Sequence, residues 1–243
     1  MSALAAQVAA VIPCKDEADR IAATVRAVAS LPQVGRVVVV DDGSTDDTSR
    51  VAREAGAEVV RHERNRGKAA ALETGAHRVR ELEREDAAAP WRAALLFVDG
   101  DLQETAANLG VLTAAVLDGT ADMTIATLPA QITAGGGRGL VVNLARGGIR
   151  HLTGFTAVQP LSGMRCVSPR AFDAATPLAR GWGVETALTV DVLRAGLTVL
   201  EVPCELQHRV SGSDWRGQVH RAGQYRDVWL ALVARGWRPW HRA

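Results

Sequence analysis

Lysine is almost missing from this sequence. Of 28 basic residues only Lys15 and Lys68 are lysines, and arginine supplies the rest. Cysteine is scarce as well. Cys14, Cys166 and Cys204 are too few and too scattered for a disulfide framework or a four-ligand zinc site, which suits a reduced, cytoplasmic protein. Long apolar runs are absent: residues 37–40 and 93–98 are strand-sized, far short of the ~20 residues that span a bilayer. The first ten residues carry no basic stretch, so no secretory signal is expected. Excess charge is lacking too. A net charge of +1 argues against a general nucleic-acid binder.

What is present is an ordinary globular composition, 47% hydrophobic and 23% charged over 243 residues, which allows a substantial core. The charge is unevenly spread. Residues 205–243 hold seven Arg against three acids, so the preceding 204 residues are net acidic.

Strand-like and helix-like segments alternate through the first half. Strands are expected over 8–13, 37–40, 58–61, 93–98 and 123–126, with helices over 17–30, 47–55, 69–85 and 106–117. This alternation predicts an α/β fold: a single Rossmann-like, mostly parallel sheet flanked by helices on both faces. Beyond residue 127 the pattern loosens. A Gly-rich loop over 134–139 reads as a mobile cover, followed by a helix over 141–152 and a strand over 162–167. A helix over 184–194, a strand over 198–202 and a basic amphipathic helix over 218–233 close the chain. One domain over 1–243 with two unequal halves is expected.

Ligands of open α/β sheets bind at the C-terminal ends of the strands. Three polar clusters fall at such ends: residues 13–17, 41–46 and 99–103. Asp99-Gly100-Asp101 places two carboxylates two apart, able to reach one hard divalent cation; an acidic turn is the plainer alternative. Asp41-Asp42-Gly43-Ser44 follows four valines and suits a turn and helix cap, with one carboxylate left for a nucleobase or ribose. Asn65-Arg66-Gly67-Lys68 is not a Walker A loop, because His62 stands where Gly is needed and Ala69 where Ser or Thr is needed. Gly135-Gly136-Gly137-Arg138-Gly139 lacks the strand-to-helix context of a dinucleotide site. Cys204, His208 and His220 do not match zinc spacing, and His62, His77, His151 and His241 have no supporting context. Glu185 sits in the first turn of its helix, where an acid also serves as an ordinary cap.

In this order the clusters resemble family 2 glycosyltransferases of the GT-A fold, over nearly the whole chain from Val8 to about Trp215. Val11-Ile12-Pro13-Cys14-Lys15-Asp16-Glu17 is similar to the family's V-I-P-x-x-N-E, with Asp16 where Asn is usual. Val40-Asp41-Asp42-Gly43-Ser44-Thr45-Asp46 resembles D-D-G-S-x-D, and Asn65-Arg66-Gly67-Lys68 resembles N-x-G-K-G with Ala69 for the last Gly. Asp99-Gly100-Asp101-Leu102-Gln103 resembles the D-x-D-L-Q of members that load sugars onto polyprenyl phosphates. Leu161-Ser162-Gly163-Met164-Arg165 and Glu201-Val202-Pro203 are similar to the S-G-F-R and E-V-P of that group. Gly181-Trp182-Gly183-Val184-Glu185 with the later His208 also resembles retaining glucosyl- and mannosyl-3-phosphoglycerate synthases.

The resemblance implies a metal-dependent hexosyltransferase using a nucleotide-diphosphate sugar, UDP- or GDP-hexose, with Mg²⁺ or Mn²⁺. Its acceptor is expected to be phosphorylated, a polyprenyl phosphate ahead of a small soluble molecule. Asp101 and Glu185 are the implied catalytic pair, with Asp101 and His208 on the metal. Pro13, Glu17, Asp41, Asp42, Ser44, Gly67, Lys68, Asp99, Gly100, Arg138, Gly163, Arg165 and Arg209 are assigned to substrate binding, with Pro13, Glu17 and Asp42 at the nucleoside, Lys68 at the nucleotide or its phosphates and Asp99 near the ribose. The division is 1–127 for the nucleotide sugar, 128–218 for the acceptor and 219–243 for the basic helix. Trp and Arg together near 229–240 suit peripheral contact with the inner face of a membrane, and a homodimer is left open. A sugar-phosphate nucleotidyltransferase is disfavoured, since no Gly-rich loop follows the first strand; a non-catalytic nucleotide-sugar-binding module would keep the same donor motifs.

Overall fold

Valine-rich strands with no polar face must be covered on both sides, and the sheet is built that way. The computed structural model describes residues 7–86, 92–128, 139–206 and 215–238, of which 215–221 by their backbone alone. The strands are β1 (Val8–Cys14), β2 (Val34–Asp41), β3 (Glu58–Arg61), β4 (Ala94–Phe97), β5 (Met123–Thr127), β6 (Arg165–Val167) and β7 (Val199–Pro203). They form one seven-stranded sheet in the order β3-β2-β1-β4-β6-β5-β7. β6 alone runs antiparallel to its neighbours, so the mostly parallel sheet is as the sequence predicts.

Period-two alternation divides each strand between two cores. Val8, Ala10 and Ile12 of β1, with Val37 and Val39 of β2, face α1 (Ile21–Ala29) and the 3-10 helix Gln103–Leu109. Ala9, Val11, Val38 and Val40 face the other way, against α3 (Lys68–Glu85), α6 (Pro169–Ala175) and α7 (Val184–Arg194). α2 (Thr48–Glu54) and α4 (Gly110–Leu117) complete the first layer. A third cluster joins α5 (Leu140–Thr153), α7 and α8 (Trp215–Val233) through Ile149, Val190, Val228 and Leu232.

The differences from expectation have local causes. The first helix starts at Ile21 because residues 17–20 form a separate turn and Arg20 leaves the helical backbone with φ -122. The helix expected over 106–117 is split, with the 3-10 segment leading into α4 at Gly110. α6 was not foreseen, although its signal is plain: Ser168 Oγ accepts from Ala171 N and Pro169 opens the helix. The strand expected over 162–167 keeps only Arg165–Val167. Among the described residues no helix is long and apolar enough to cross a membrane. Residues 134–138 of the Gly-rich segment, Arg138 among them, His208, Arg209 and the end of the Trp-rich stretch lie outside the described residues.

Candidate functional site

Strands β2, β1 and β4 are adjacent and parallel, so their C-terminal ends share one edge of the sheet. That edge brings the three polar clusters together around a cleft of about 340 Å³. Pro13, Cys14, Lys15, Glu17, Asp42, Lys68, Ala71, Asp99, Gly100, Asp101 and Trp182 line it.

After β1 the chain turns at Asp16. Its backbone N donates to Ser44 Oγ (2.9 Å), and its carboxylate accepts from Thr45 N (2.7 Å). Asn and Asp are the non-glycine residues that tolerate this left-handed backbone, so Asp16 fills the place of the family's Asn. Glu17 N donates to Thr48 Oγ1 (2.8 Å), and Glu17 Oε2 accepts from Arg20 Nε (2.6 Å) at the rim of the cleft.

The two aspartates ending β2 have different duties. Asp41 is fully buried; it accepts from Ser44 N (2.7 Å) and from Ser49 Oγ. Ser44 is buried too, with its hydroxyl taken by Asp16 N. Both are among the residues assigned to substrate binding, although the same stretch also suits a turn and helix cap with one carboxylate left over. Their polar atoms instead hold the turn, and neither lines the cleft. Gly43 lets that turn close: it has φ 76, and a Cβ there would lie 2.7 Å from the Arg64 carbonyl carbon. Asp42 does face the cleft. It accepts from His62 Nδ1 (2.7 Å), Arg66 N (2.8 Å) and Gly67 N (2.7 Å). Burial acts to raise its pKa, but these hydrogen bonds outweigh burial and hold the carboxyl below its ordinary value. His62, which no sequence context marked, is thus an anchor of the site, with Nε2 3.0 Å from Thr74 Oγ1 on α3.

The third cluster centres on Lys68, the first residue of α3. Its Nζ lies 2.7 Å from Asp99 Oδ1 and 3.1 Å from Glu185 Oε1 at the start of α7. Burial acts against the ammonium, yet the two carboxylates prevail and its pKa is raised. Gly163 is the floor of this triad. A Cβ there would fall 2.3 Å from Lys68 Nζ and 3.0 Å from Asp99 Oδ1. Thr24 fixes the Asp99–Asp101 turn from beneath, donating to Gly100 O (2.9 Å) and accepting from Gln103 N (2.8 Å).

Arg165 departs from its expected role in substrate binding. It is 1% exposed, and its guanidinium donates to Ser162 O (2.8 Å), Thr189 Oγ1 (2.9 Å) and Pro160 O (3.2 Å). Burial lowers its pKa to about 10, against the pull of Glu185 and Glu201. Arg165 therefore joins the Gly163 loop to α7, since Thr189 in turn donates to Glu185 O (2.9 Å). Glu201 accepts from Val158 N and Gln159 N, which fixes the loop before β6. Trp182, 44% exposed, reaches the cleft from a turn whose Trp182 N donates to Asp227 Oδ2 of α8 (3.2 Å).

Among the described residues no group of three or more His, Cys, Asp and Glu is arranged to hold a metal. The cleft does offer the Asp99 and Asp101 carboxylates. So sparse a set of hard oxygen donors fits Mg²⁺ or Mn²⁺, which draw further ligands from substrate phosphates and water, and does not fit a soft metal.

Known proteins share this architecture. Glucosyl-3-phosphoglycerate synthase from Mycobacterium tuberculosis, solved with Mn²⁺, uridine diphosphate and phosphoglyceric acid, superposes with a TM-score of 0.75 at 26% identity. That match covers 97% of this chain and 80% of the other. The same enzyme with phosphoglyceric acid alone gives 0.73 at 27% identity, over 95% and 80%. The succinoglycan biosynthesis protein ExoU of Rhizobium meliloti (strain 1021) is 48% identical over 66 residues. That stretch is 25% of this chain and only 19% of ExoU, so the chain spans about a fifth of that curated relative. The mostly parallel sheet with helices on both faces is the GT-A arrangement of these neighbours. Residues 9–172 match the profile described as Glycosyl transferase family 2, and the chain belongs to that family.

Proposed function

We propose that the protein transfers a hexose from a nucleoside-diphosphate sugar, UDP- or GDP-hexose, to a small phosphorylated acceptor, with Mg²⁺ or Mn²⁺ as cofactor. The observation that carries this reading is one cleft lined by Asp42, Lys68, Asp99 and Asp101 at the ends of three neighbouring strands and the start of α3. Nucleoside recognition, a phosphate-seeking cation and a hard-oxygen metal ligand meet there. The likeness to a synthase solved with Mn²⁺, uridine diphosphate and phosphoglyceric acid supports the donor, the metal and a small acceptor.

Asp101 would hold the cation, with Asp99 kept beside it by Lys68. When bound, the cation neutralises charge developing on the leaving diphosphate. Pro13, Glu17 and Asp42 receive the nucleoside, Gly100 shapes a wall, and Gly67 holds Asp42 through its N–H. A diphosphate entering the cleft competes with Asp99 and Glu185 for the Lys68 ammonium. Glu185, released from Lys68 as the donor seats, is then free to accept the proton of an acceptor hydroxyl. In this reading residues 1–127 serve the donor and 128–218 the acceptor; the roles assigned to Arg138, His208 and Arg209 fall outside the described residues.

A small acceptor is favoured over a polyprenyl phosphate by the likeness to a synthase solved with phosphoglyceric acid. Leu102 and Gln103 are one part of the likeness to the lipid-linked enzymes, beside Ser162–Arg165 and Glu201–Pro203. Leu102 is buried in the core, and Gln103 sits at φ 51 with its N–H on Thr24. Burial in the core accounts for Leu102 without a lipid acceptor. Purified protein given UDP- and GDP-hexoses with Mn²⁺ should glycosylate 3-phosphoglycerate or a similar phosphorylated acid. Transfer only to polyprenyl phosphate would reverse the acceptor assignment. Donor binding without turnover on any acceptor would leave a binding module.

A further inference from the structure

Within the donor reading, the base remains to be chosen between uracil and guanine. Asp42 is the carboxylate at that end of the cleft, and its acceptor positions can be counted. An ionised carboxylate has about four lone-pair sites. Oδ1 uses two, on His62 Nδ1 and Arg66 N; Oδ2 uses one, on Gly67 N. One position on Oδ2 is left for a ligand. Because Asp42 only accepts, the shared proton lies on His62 Nδ1. The ring cannot swing away, being buried and tied to α3 through Thr74 Oγ1.

We infer that His62 is a positioning residue for recognition of the donor's base: by occupying Oδ1 of Asp42 it leaves one open acceptor position, which selects uracil, with its single ring N–H, over guanine. This rests on the donor reading above. Guanine presents N1–H and N2–H side by side, and a carboxylate matches that edge only with both oxygens open. Here the Oδ1 side is closed by His62 and Arg66 N. Uracil needs one acceptor for N3–H, which is what remains. Cytosine and adenine offer no ring N–H on the corresponding edge.

The test uses the full chain with Mn²⁺, measuring UDP and GDP binding by calorimetry and thermal melting of every variant. His62→Asn keeps an N–H near the Nδ1 position; His62→Leu removes it. Thr74→Val leaves His62 but releases its ring from α3. Wild type should prefer UDP by about tenfold or more, the worth of one buried hydrogen bond. His62→Asn should retain that preference. His62→Leu should reduce it severalfold by weakening UDP, raising the donor KM while leaving kcat at saturating donor within about twofold. Thr74→Val should move in the same direction, and it serves where the leucine variant melts too low to use. Equal affinity of wild type for UDP and GDP overturns the inference while keeping the donor reading. An unchanged UDP-to-GDP ratio in both His62→Leu and Thr74→Val also overturns it. Failure of wild type to bind either nucleotide overturns the donor reading, and the inference with it.

Discussion

Lys68 should not be replaceable by arginine, although arginine serves nearly everywhere else in the chain. The reason is the size of its enclosure. The ammonium sits 2.7 Å from Asp99 and 3.1 Å from Glu185, and the Gly163 backbone lies so close that a single methyl would stand 2.3 Å from Nζ. A guanidinium carries three heavy atoms where Lys has one, and its planar fork cannot bridge the two carboxylates without displacing Gly163. Overpacking of this kind costs about 1–3 kcal/mol. Lys68→Met makes the complementary change. It leaves two carboxylates less than about 6 Å apart with no cation between them, a repulsion of about 3 kcal/mol at an effective dielectric of 20. Since the Asp99 side chain is 24% exposed, screening reduces this to about 1–2 kcal/mol. Urea unfolding should therefore show Lys68→Met less stable by that amount. Transfer from the nucleotide sugar should fall by about 100-fold in Lys68→Arg, through a misplaced cation. Full transfer by Lys68→Arg would refute the argument from enclosure, and unchanged stability of Lys68→Met would refute the electrostatic one.

Other outcomes follow from the same geometry. Gly163→Ala should expel Lys68 from its pair, so transfer should drop and the melting temperature should fall by about as much as in Lys68→Met, a few degrees. Asp101→Asn, or removal of divalent metal by a chelator, should abolish the stabilisation that a nucleotide sugar gives in a thermal-shift assay. Arg165→Met should lower stability by about 2–4 kcal/mol, from three lost hydrogen bonds and orphaned buried carbonyls, with donor KM little changed in any protein that stays folded. The raised pKa of Lys68 means its ion pairs contribute fully below pH 10.5 and are lost only as pH climbs beyond that value, so donor affinity between pH 7 and 10 should show no step from this group. All three cysteines are buried, and burial pushes Cys166 up to about 12 and Cys204 to about 11, so the native protein should resist thiol reagents at pH 8 and react only on unfolding.

The sheet was legible because its signal is periodic and local. Runs such as 37–40 have no polar face, so only a doubly covered parallel strand fits them, and the Asp-rich strand ends then fall on one edge by topology alone. α6 shows the limit of pattern reading, since seven residues give less than two full turns of periodicity and only the Ser168–Pro169 start announces it. Trp182 reaches the cleft because Asp227, 45 residues later, holds its turn against α8, and no local pattern carries that information. His62 is a similar case: its partners Asp42 and Thr74 lie 20 residues before it and 12 after it, on other elements.

Within the motifs themselves, the sequence could not separate residues that make the turn from residues that meet the ligand. Asp41 and Asp42 are chemically identical neighbours. The last residue of β2 points into the protein, where Ser44 N and Ser49 Oγ consume it. One residue later the chain has left the strand, and the same carboxylate opens onto the cleft. The same division separates Leu102 from Asp101 and Arg165 from Gly163. A turn that presents a carboxylate to a diphosphate must itself be fastened by polar side chains, because its backbone groups have left the sheet and still need partners. Polar residues therefore accumulate at these strand ends for two reasons at once. Substitution separates them: loss of a fastener such as Asp41 should appear first in the melting temperature, and loss of a ligand-facing group such as Asp101 first in donor affinity.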